Sequence, residues 1–232
     1  MWLCDKILQN LHYIIIDKII VASYNSNINN HNIYFCFREL EMQLLEERIL
    51  KDGKVFPGNV LKVDSFINHQ MDIAFICELG KEFYRLFKDS GVTKIITIEA
   101  SGIGIAALTA QYFGVPMVFA KKSKTLNISD DFYCAEVESF THGNKNNVII
   151  SKDYINKSDK VLLIDDFLAN GKALCGLIEL VTAAGAEVVG AGIVIEKAYQ
   201  PGGALVRSKG VRVESLARVA EMKDDGSITF CD

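Results

Sequence analysis

The sequence predicts an α/β fold, a mostly parallel, twisted sheet with helices on both faces. Three observations lead there. Short apolar runs of strand length, Ile95-Ile96-Thr97-Ile98 and Val161-Leu162-Leu163-Ile164, alternate with stretches whose apolar residues recur at helical spacing. These runs are nearly continuous, as in strands buried on both faces. Glycines at 53, 91, 102, 114 and 171 stand where helices should open or close.

Taken in order, Leu44 to Leu50 has the pattern of an amphipathic helix closing at Gly53. From Asp72, the residues Ile73, Ile76, Leu79, Phe83 and Phe87 recur at helical spacing, and Gly91 ends that helix. Val92 to Glu99 reads as a buried strand and Gly102 to Phe113 as a helix. Val115 to Ala120 is a second strand, entered through the turn Gly114-Val115-Pro116. Lys121 to Asp131 is a polar loop. Phe132 to Ser139 and Val148 to Ser151 read as antiparallel strands around a His-Gly-Asn turn. Lys160 to Asp166 is the clearest strand; a helix follows over Gly171 to Ala184. Val188 to Glu196 and Val211 to Leu216 complete the strands. Ligands of such sheets bind beyond the carboxyl ends of the strands.

Bulk properties exclude several classes of function. A chain of 232 residues with 50% hydrophobic residues can fill a real core. The net charge of −4 makes no electrostatic case for nucleic-acid or membrane binding. Six cysteines, at 4, 36, 77, 134, 175 and 231, form no CxxC pair, so neither a zinc site nor a disulfide framework is indicated and a reducing cytoplasm is expected. Met1 to Val21 is apolar, but Asp5, Lys6, Asp17 and Lys18 interrupt it too often for a membrane span, and no signal-peptide pattern is present. Ser23 to His31 is Asn-rich and without periodicity. The expectation is therefore an N-terminal extension over residues 1–41 and a catalytic domain over residues 42–232. Met42 is the expected native start, with Arg38-Glu39-Leu40-Glu41 compatible with a purine-rich ribosome-binding stretch.

The chemistry concentrates in Val161-Leu162-Leu163-Ile164-Asp165-Asp166-Phe167-Leu168-Ala169-Asn170-Gly171-Lys172-Ala173. An apolar strand ends on two carboxylates, and a short turn with Gly171 opens a helix. Backbone amides at a helix N-terminus make an anion cradle, reinforced by the helix dipole. Two acids beside a phosphate need another task, and ribose hydroxyls or Mg²⁺ would supply one. A pure helix-capping role would need only one acid, and Asn170 is better placed for it. Lys172 is followed by Ala173 and Asp166 occupies the place of the first glycine, which excludes a Walker A loop.

Glu99-Ala100-Ser101-Gly102-Ile103-Gly104 also follows a strand and opens a helix, a second anion site. Gly102 to Ala107 fits GxGxxA as well. With Lys121-Lys122 where a ribose-binding acid would stand, that pattern disfavours NAD and leaves NADP open. Lys121, Lys122 and Lys124 are either a solvated basic loop or a lid that carries cations to a leaving group.

The acid pair and small-residue loop resemble the 5-phosphoribosyl diphosphate signature of the type I phosphoribosyltransferases. From about Met42 onward the chain is similar to the bacterial branch of that family acting on xanthine. Val60 to Gln70, Ile164 to Ala173, Val194 to Lys197 and Val213 to Arg218 carry the likeness. It implies the type I phosphoribosyltransferase fold, with a small N-terminal hood at about residues 42–70 over the base site. It implies that Asp165 and Asp166 hold the ribose hydroxyls and that Ala169, Asn170, Gly171, Lys172 and Ala173 wrap the 5′-phosphate. Many members carry Thr or Ser in that loop; with Ala169 and Ala173, backbone amides must do more of the binding. Ser101 and Gly102 would receive pyrophosphate, and Leu61, Asn68 and Lys197 would contact the base. Each also has a plain structural reading: Leu61 as core, Asn68 as a turn residue, Lys197 as a surface lysine.

The same resemblance implies transfer of the phosphoribosyl group to N9 of xanthine, with Mg²⁺ accompanying the diphosphate substrate, in a cytoplasmic homodimer. Neither nucleic acid nor membrane is expected as a partner. Guanine, hypoxanthine or orotate as the base, or a non-catalytic regulator that senses the diphosphate, are the alternatives the sequence leaves open.

Overall fold

A computed structural model describes residues 43–122, 131–138, 145–223 and 225–231. The expected extension 1–41, Lys124 and the His-Gly-Asn turn lie outside the described residues. The sheet with its strands belongs to the compact unit Leu45–Asp232.

Helix α1 (43–52) buries Leu45 and Ile49, four residues apart on one face, and ends against Gly53. A small antiparallel hairpin follows, β1 (Lys54–Phe56) and β2 (Val60–Lys62), with Asn59 in its turn at φ 63°. Asn is one of the few non-glycine residues that tolerate this left-handed conformation. A short wide-turned helix, Asp64–Asn68, then buries Phe66 and Ile67. The hairpin and this turn were not anticipated as elements, since three-residue strands leave no readable period.

Helix α2 (Ile73–Phe87) is capped by Asp72, whose side chain accepts from the Phe75 amide at 3.2 Å. Its chain exit passes through Gly91 at φ 67°. The main sheet comprises β3 (Lys94–Ile98), β4 (Met117–Ala120), β7 (Lys160–Leu168), β8 (Glu187–Lys197), β9 (Val213–Met222) and β10 (Ile228–Phe230). Between β4 and β7 the hairpin β5 (Phe132–Glu138) and β6 (Lys145–Ser151) forms a sheet of its own. Helix α3 (Gly102–Phe113) joins β3 to β4, and α4 (Lys172–Ala183) joins β7 to β8. A seven-residue helix, α5 (Gly202–Ser208), joins β8 to β9.

In space the six strands run β10-β9-β8-β7-β3-β4, all parallel except β10. The expected parallel sheet is thus observed, with helices α2 and α3 packed together and α4 against the β5–β6 hairpin. β8 makes room for α2 with bare positions. A Cβ on Gly190 would meet Phe87 at 2.4 Å, and one on Gly192 would meet Phe83 at 2.6 Å. Residues 83 and 87 share a helix face as 190 and 192 share a strand face, so the two periods interlock.

Several boundaries differ from expectation. β7 continues through Phe167 and Leu168, and β9 runs six residues beyond Leu216 with β10 paired to its far end. Helix α5 was not anticipated: Ala204, Leu205 and Val206 are contiguous, so no helical period shows over so short a span.

The consecutive order also locates the site. From β3 the chain moves outward to β4, whereas from β7 it moves outward to β8 on the opposite side. The strand order therefore reverses between β3 and β7, and the crevice beyond their carboxyl ends is where ligands of open α/β sheets bind.

Candidate active site

The two loops that the sequence singled out meet at this crevice. Asp165 and Asp166 lie near the carboxyl end of β7 at 6% and 9% exposure, and the Asp166 amide donates to Asp165 Oδ1 at 3.0 Å. Gly102, first residue of α3, lies directly against them. A Cβ there would fall 2.2 Å from Thr97 Oγ1 and 3.2 Å from Asp165 Oδ1, so only glycine fits. Thr97 Oγ1 is itself fully enclosed without a hydrogen-bond partner. Ser101 immediately precedes this contact.

Burial first, and the neighbouring charge of Asp166 second, push the Asp165 carboxyl well above the ordinary range for aspartate. The charge of Lys122 opposes that shift, so this lysine stands within electrostatic reach of the acids. Glu99 accepts a hydrogen bond from the Lys122 amide at 2.6 Å, tying the end of β4 to the loop before α3. Lys121 instead continues the sheet through a bridge to Ile149.

Beyond the acids, Ala169, Asn170 and Gly171 turn sharply into α4. Gly171 is the helix N-cap at φ 79°, a conformation few other residues adopt. Asn170 Oδ1 accepts from the Lys172 amide at 3.0 Å, so that amide is already occupied. The first-turn amides of Ala173 and Leu174 have no partner within the helix.

Lys197 ends β8 at 8% exposure, which removes the surface-lysine reading. Its Nζ donates to the Asn59 carbonyl at 2.7 Å and lies 5.6 Å from the centre of the Phe167 ring. Burial lowers its pKa from the usual lysine value. An ammonium has three donors, so two remain beyond the bond to Asn59. Leu61 is buried two residues past Asn59, on the hairpin that Lys197 holds. Asn68 closes the turn Asp64–Asn68, and its Oδ1 is enclosed with no donor. Such an orphan acceptor is costly unless a ligand supplies an N–H. His69 is exposed.

Phe167 and Asn59 are the residues sequence reasoning missed. Phe167 carried a signal: an aromatic directly after the acid pair, half-buried at the strand end, is a ready ring platform. The part played by Asn59 is a backbone carbonyl, which no side-chain pattern announces.

A carboxyl-end crevice with an acid pair between two helix N-termini has the chemistry to suit a phosphorylated sugar. The phosphoribosyl transferase domain matches residues 74–215, and the chain belongs to that family. The xanthine phosphoribosyltransferase of Lachnoclostridium phytofermentans is 59% identical over 190 residues, 82% of this chain and 98% of that protein. That of Ruminiclostridium cellulolyticum is 52% identical over 191 residues, 82% of this chain and 100% of that one. Among solved structures, adenine phosphoribosyl transferase from Trypanosoma brucei, in complex with AMP, pyrophosphate and ribose-5-phosphate, superposes with a TM-score of 0.67. Its identity is 19%, over 78% of this chain and 82% of that one, a likeness of fold.

Proposed function

We propose that this protein transfers the phosphoribosyl group of 5-phosphoribosyl diphosphate to N9 of xanthine, releasing pyrophosphate. The observation that carries the reading is the contact of Gly102 with Asp165 at the switch point, which joins an acid pair to two anion-binding helix starts. The C1–O bond to pyrophosphate breaks as the C1–N9 bond forms. The protein's work is positioning and charge stabilisation, and no covalent nucleophile is needed.

Asp165 and Asp166 accept from the ribose hydroxyls, while the Ala169–Gly171 turn and the first amides of α4 hold the 5′-phosphate. Ser101 and Gly102 at the start of α3 receive the pyrophosphate, and Lys122 brings a cation to the same side. Among the described residues no cluster of three or more His, Cys, Asp or Glu side chains could cage a metal. A carboxylate pair of this kind suits Mg²⁺ carried in on diphosphate oxygens rather than a resident ion. When bound, Mg²⁺ would neutralise the leaving group.

For the base, the Asn68 amide matches an N–H/C=O edge, accepting with its orphan oxygen and donating with its nitrogen. Oxopurines present that edge; adenine does not. Lys197 donates to a further carbonyl, which xanthine has and hypoxanthine lacks, and Phe167 with Leu61 supplies apolar contact. The kinship with the two xanthine enzymes supports the same choice.

We further propose that residues 42–232 form the catalytic domain, without the first 41, and that the working form is a cytoplasmic homodimer. Among the described residues no helix is long and apolar enough to cross a membrane. Sedimentation of the purified protein tests the dimer.

The deciding assay follows pyrophosphate release from 5-phosphoribosyl diphosphate and Mg²⁺ with xanthine, guanine, hypoxanthine, adenine and orotate offered separately. Fastest turnover on xanthine is expected. Fastest turnover on another base would overturn the roles of Asn68 and Lys197, and silence on all five would overturn catalysis.

A further inference from the structure

Glu196, which the reaction does not use directly, is the most completely satisfied buried charge near the site. At 2% exposure it accepts from Arg207 Nη1 at 2.7 Å and Nη2 at 2.9 Å, and from Ser215 Oγ at 2.6 Å. Arg218 Nε stands 3.6 Å away as a further ion partner. Burial alone would raise its carboxyl, yet these hydrogen bonds and charges hold it below the ordinary glutamate value. The cluster therefore stays ionised and locks three elements together: the end of β8, helix α5 and strand β9.

Two facts give this lock a consequence at the site. Glu196 pairs in register with Leu168, the residue just before the phosphate turn, and it directly precedes Lys197. Helix α5 in turn starts on the back of the same turn. The Gly202 amide donates to the Ala169 carbonyl at 3.0 Å. A Cβ on Gly202 would lie 2.3 Å from that carbonyl oxygen, 2.5 Å from Gly171 N and 2.8 Å from Asn170 C. A Cβ on Gly171 would lie 2.9 Å from Gly202 Cα. Backbone meets backbone with no side chain between, so the seat of α5 sets the shape of the turn.

We propose that the Glu196–Arg207 pair and Gly202 are positioning residues for the transfer reaction, with α5 acting as a buttress. Through this helix one buried ion cluster holds the 5′-phosphate turn and the base lysine in mutual register, a role that rests on the substrate reading under Proposed function. The Arg207 guanidinium is committed to Glu196, which alternates with Lys197 along β8 and so projects to the other face of the strand. Its effect is geometric, and displacements of about 1 Å far from the chemistry can cost roughly 100-fold.

The test uses the full-length protein and two probes. Ribose 5-phosphate binding is measured by calorimetry, and KM for each substrate and kcat by pyrophosphate release. Arg207→Ala is expected to weaken ribose 5-phosphate binding and raise both KM values about tenfold, with kcat falling less. Arg207→Lys, which keeps the charge but loses the fork, should recover part of that. Gly202→Ala should raise KM for 5-phosphoribosyl diphosphate more than KM for base. Lys94→Met, at the opposite end of the sheet, serves as the stability control and should move neither KM. If Arg207→Ala fails to fold, Arg207→Lys and Gly202→Ala decide on the same readouts. Variants that lower the melting temperature but leave both KM values and ribose 5-phosphate binding unchanged would overturn the buttress. Failure of the wild-type protein to bind ribose 5-phosphate would instead overturn the substrate reading.

Discussion

Each end of the parallel sheet buries charge, and the two ends do so differently. At the amino end Lys94 opens β3, and its Nζ donates to Asp159 Oδ2 at 2.8 Å and to the Tyr154 carbonyl at 2.6 Å. Asp159 accepts in addition from the Asn156 amide at 2.8 Å. Every charge there is mated. At the carboxyl end Asp165 and Asp166 lie side by side, and burial together with repulsion holds the Asp165 carboxyl well above the ordinary aspartate range. Both clusters sit on neighbouring strands with similar burial, so the sheet itself does not require the frustration. The mated pair secures the fold, whereas the acid pair would be relieved by the hydroxyls and cation proposed for it.

Substitution at each end should sharpen that contrast. Asp165→Asn and Asp166→Asn are expected to lower turnover by about 10³-fold or more, read by pyrophosphate release. At the same time Asp165→Asn should raise the melting temperature. Its folded pKa lies above the unfolded value, so its stabilising share is present in acid and lost as pH rises through the folded value. Above the unfolded value, keeping this buried carboxyl beside Asp166 opposes folding, and Asn removes that opposition. Loss of stability in Asp165→Asn would break the comparison.

Lys94→Met should do the reverse. Leaving Asp159 buried and unpaired is expected to cost about 3–5 kcal/mol of stability in denaturant titration, with KM values unchanged. Lys197→Met is a smaller test, on a buried lysine proposed to meet the base. KM for base should rise roughly 10-fold while KM for the diphosphate substrate stays within about twofold, since the lost bonds are to a charged donor. Because burial lowers the Lys197 pKa, its cation is lost at a lower pH than an ordinary lysine's. KM for base should therefore climb earlier on the alkaline limb in the wild type than solution lysine chemistry dictates, and Lys197→Met should lack that climb. The smallest expected effect is deletion of residues 1–41, with activity changed by less than about twofold; loss of folding would refute the domain division.

Much of this molecule was legible along the chain. The runs Ile95–Ile98 and Val161–Ile164 are central strands, and the acid pair and both glycine turns stand at their carboxyl ends. Such features are local: an apolar run, a cap or a left-handed glycine is decided by a few neighbouring residues. The hood was harder, because the β1–β2 hairpin is too short for a period and is held by Lys197, 138 residues away from Asn59. Helix α5 was illegible for the same reason, since its meaning lies in contact with Ala169 and Gly171 rather than in its own pattern.

The sequence by itself determined the α/β class, the order of most strands and helices along the chain, and the two glycine turns at the carboxyl end of the sheet. Only the tertiary structure decided that Gly102 stands close to Asp165, that Lys197 is buried over Phe167, and that Glu196 holds α5 through Arg207. Those pairings join residues far apart in the chain. Their free energy comes from burial and charge pairing that exist only after the sheet has formed.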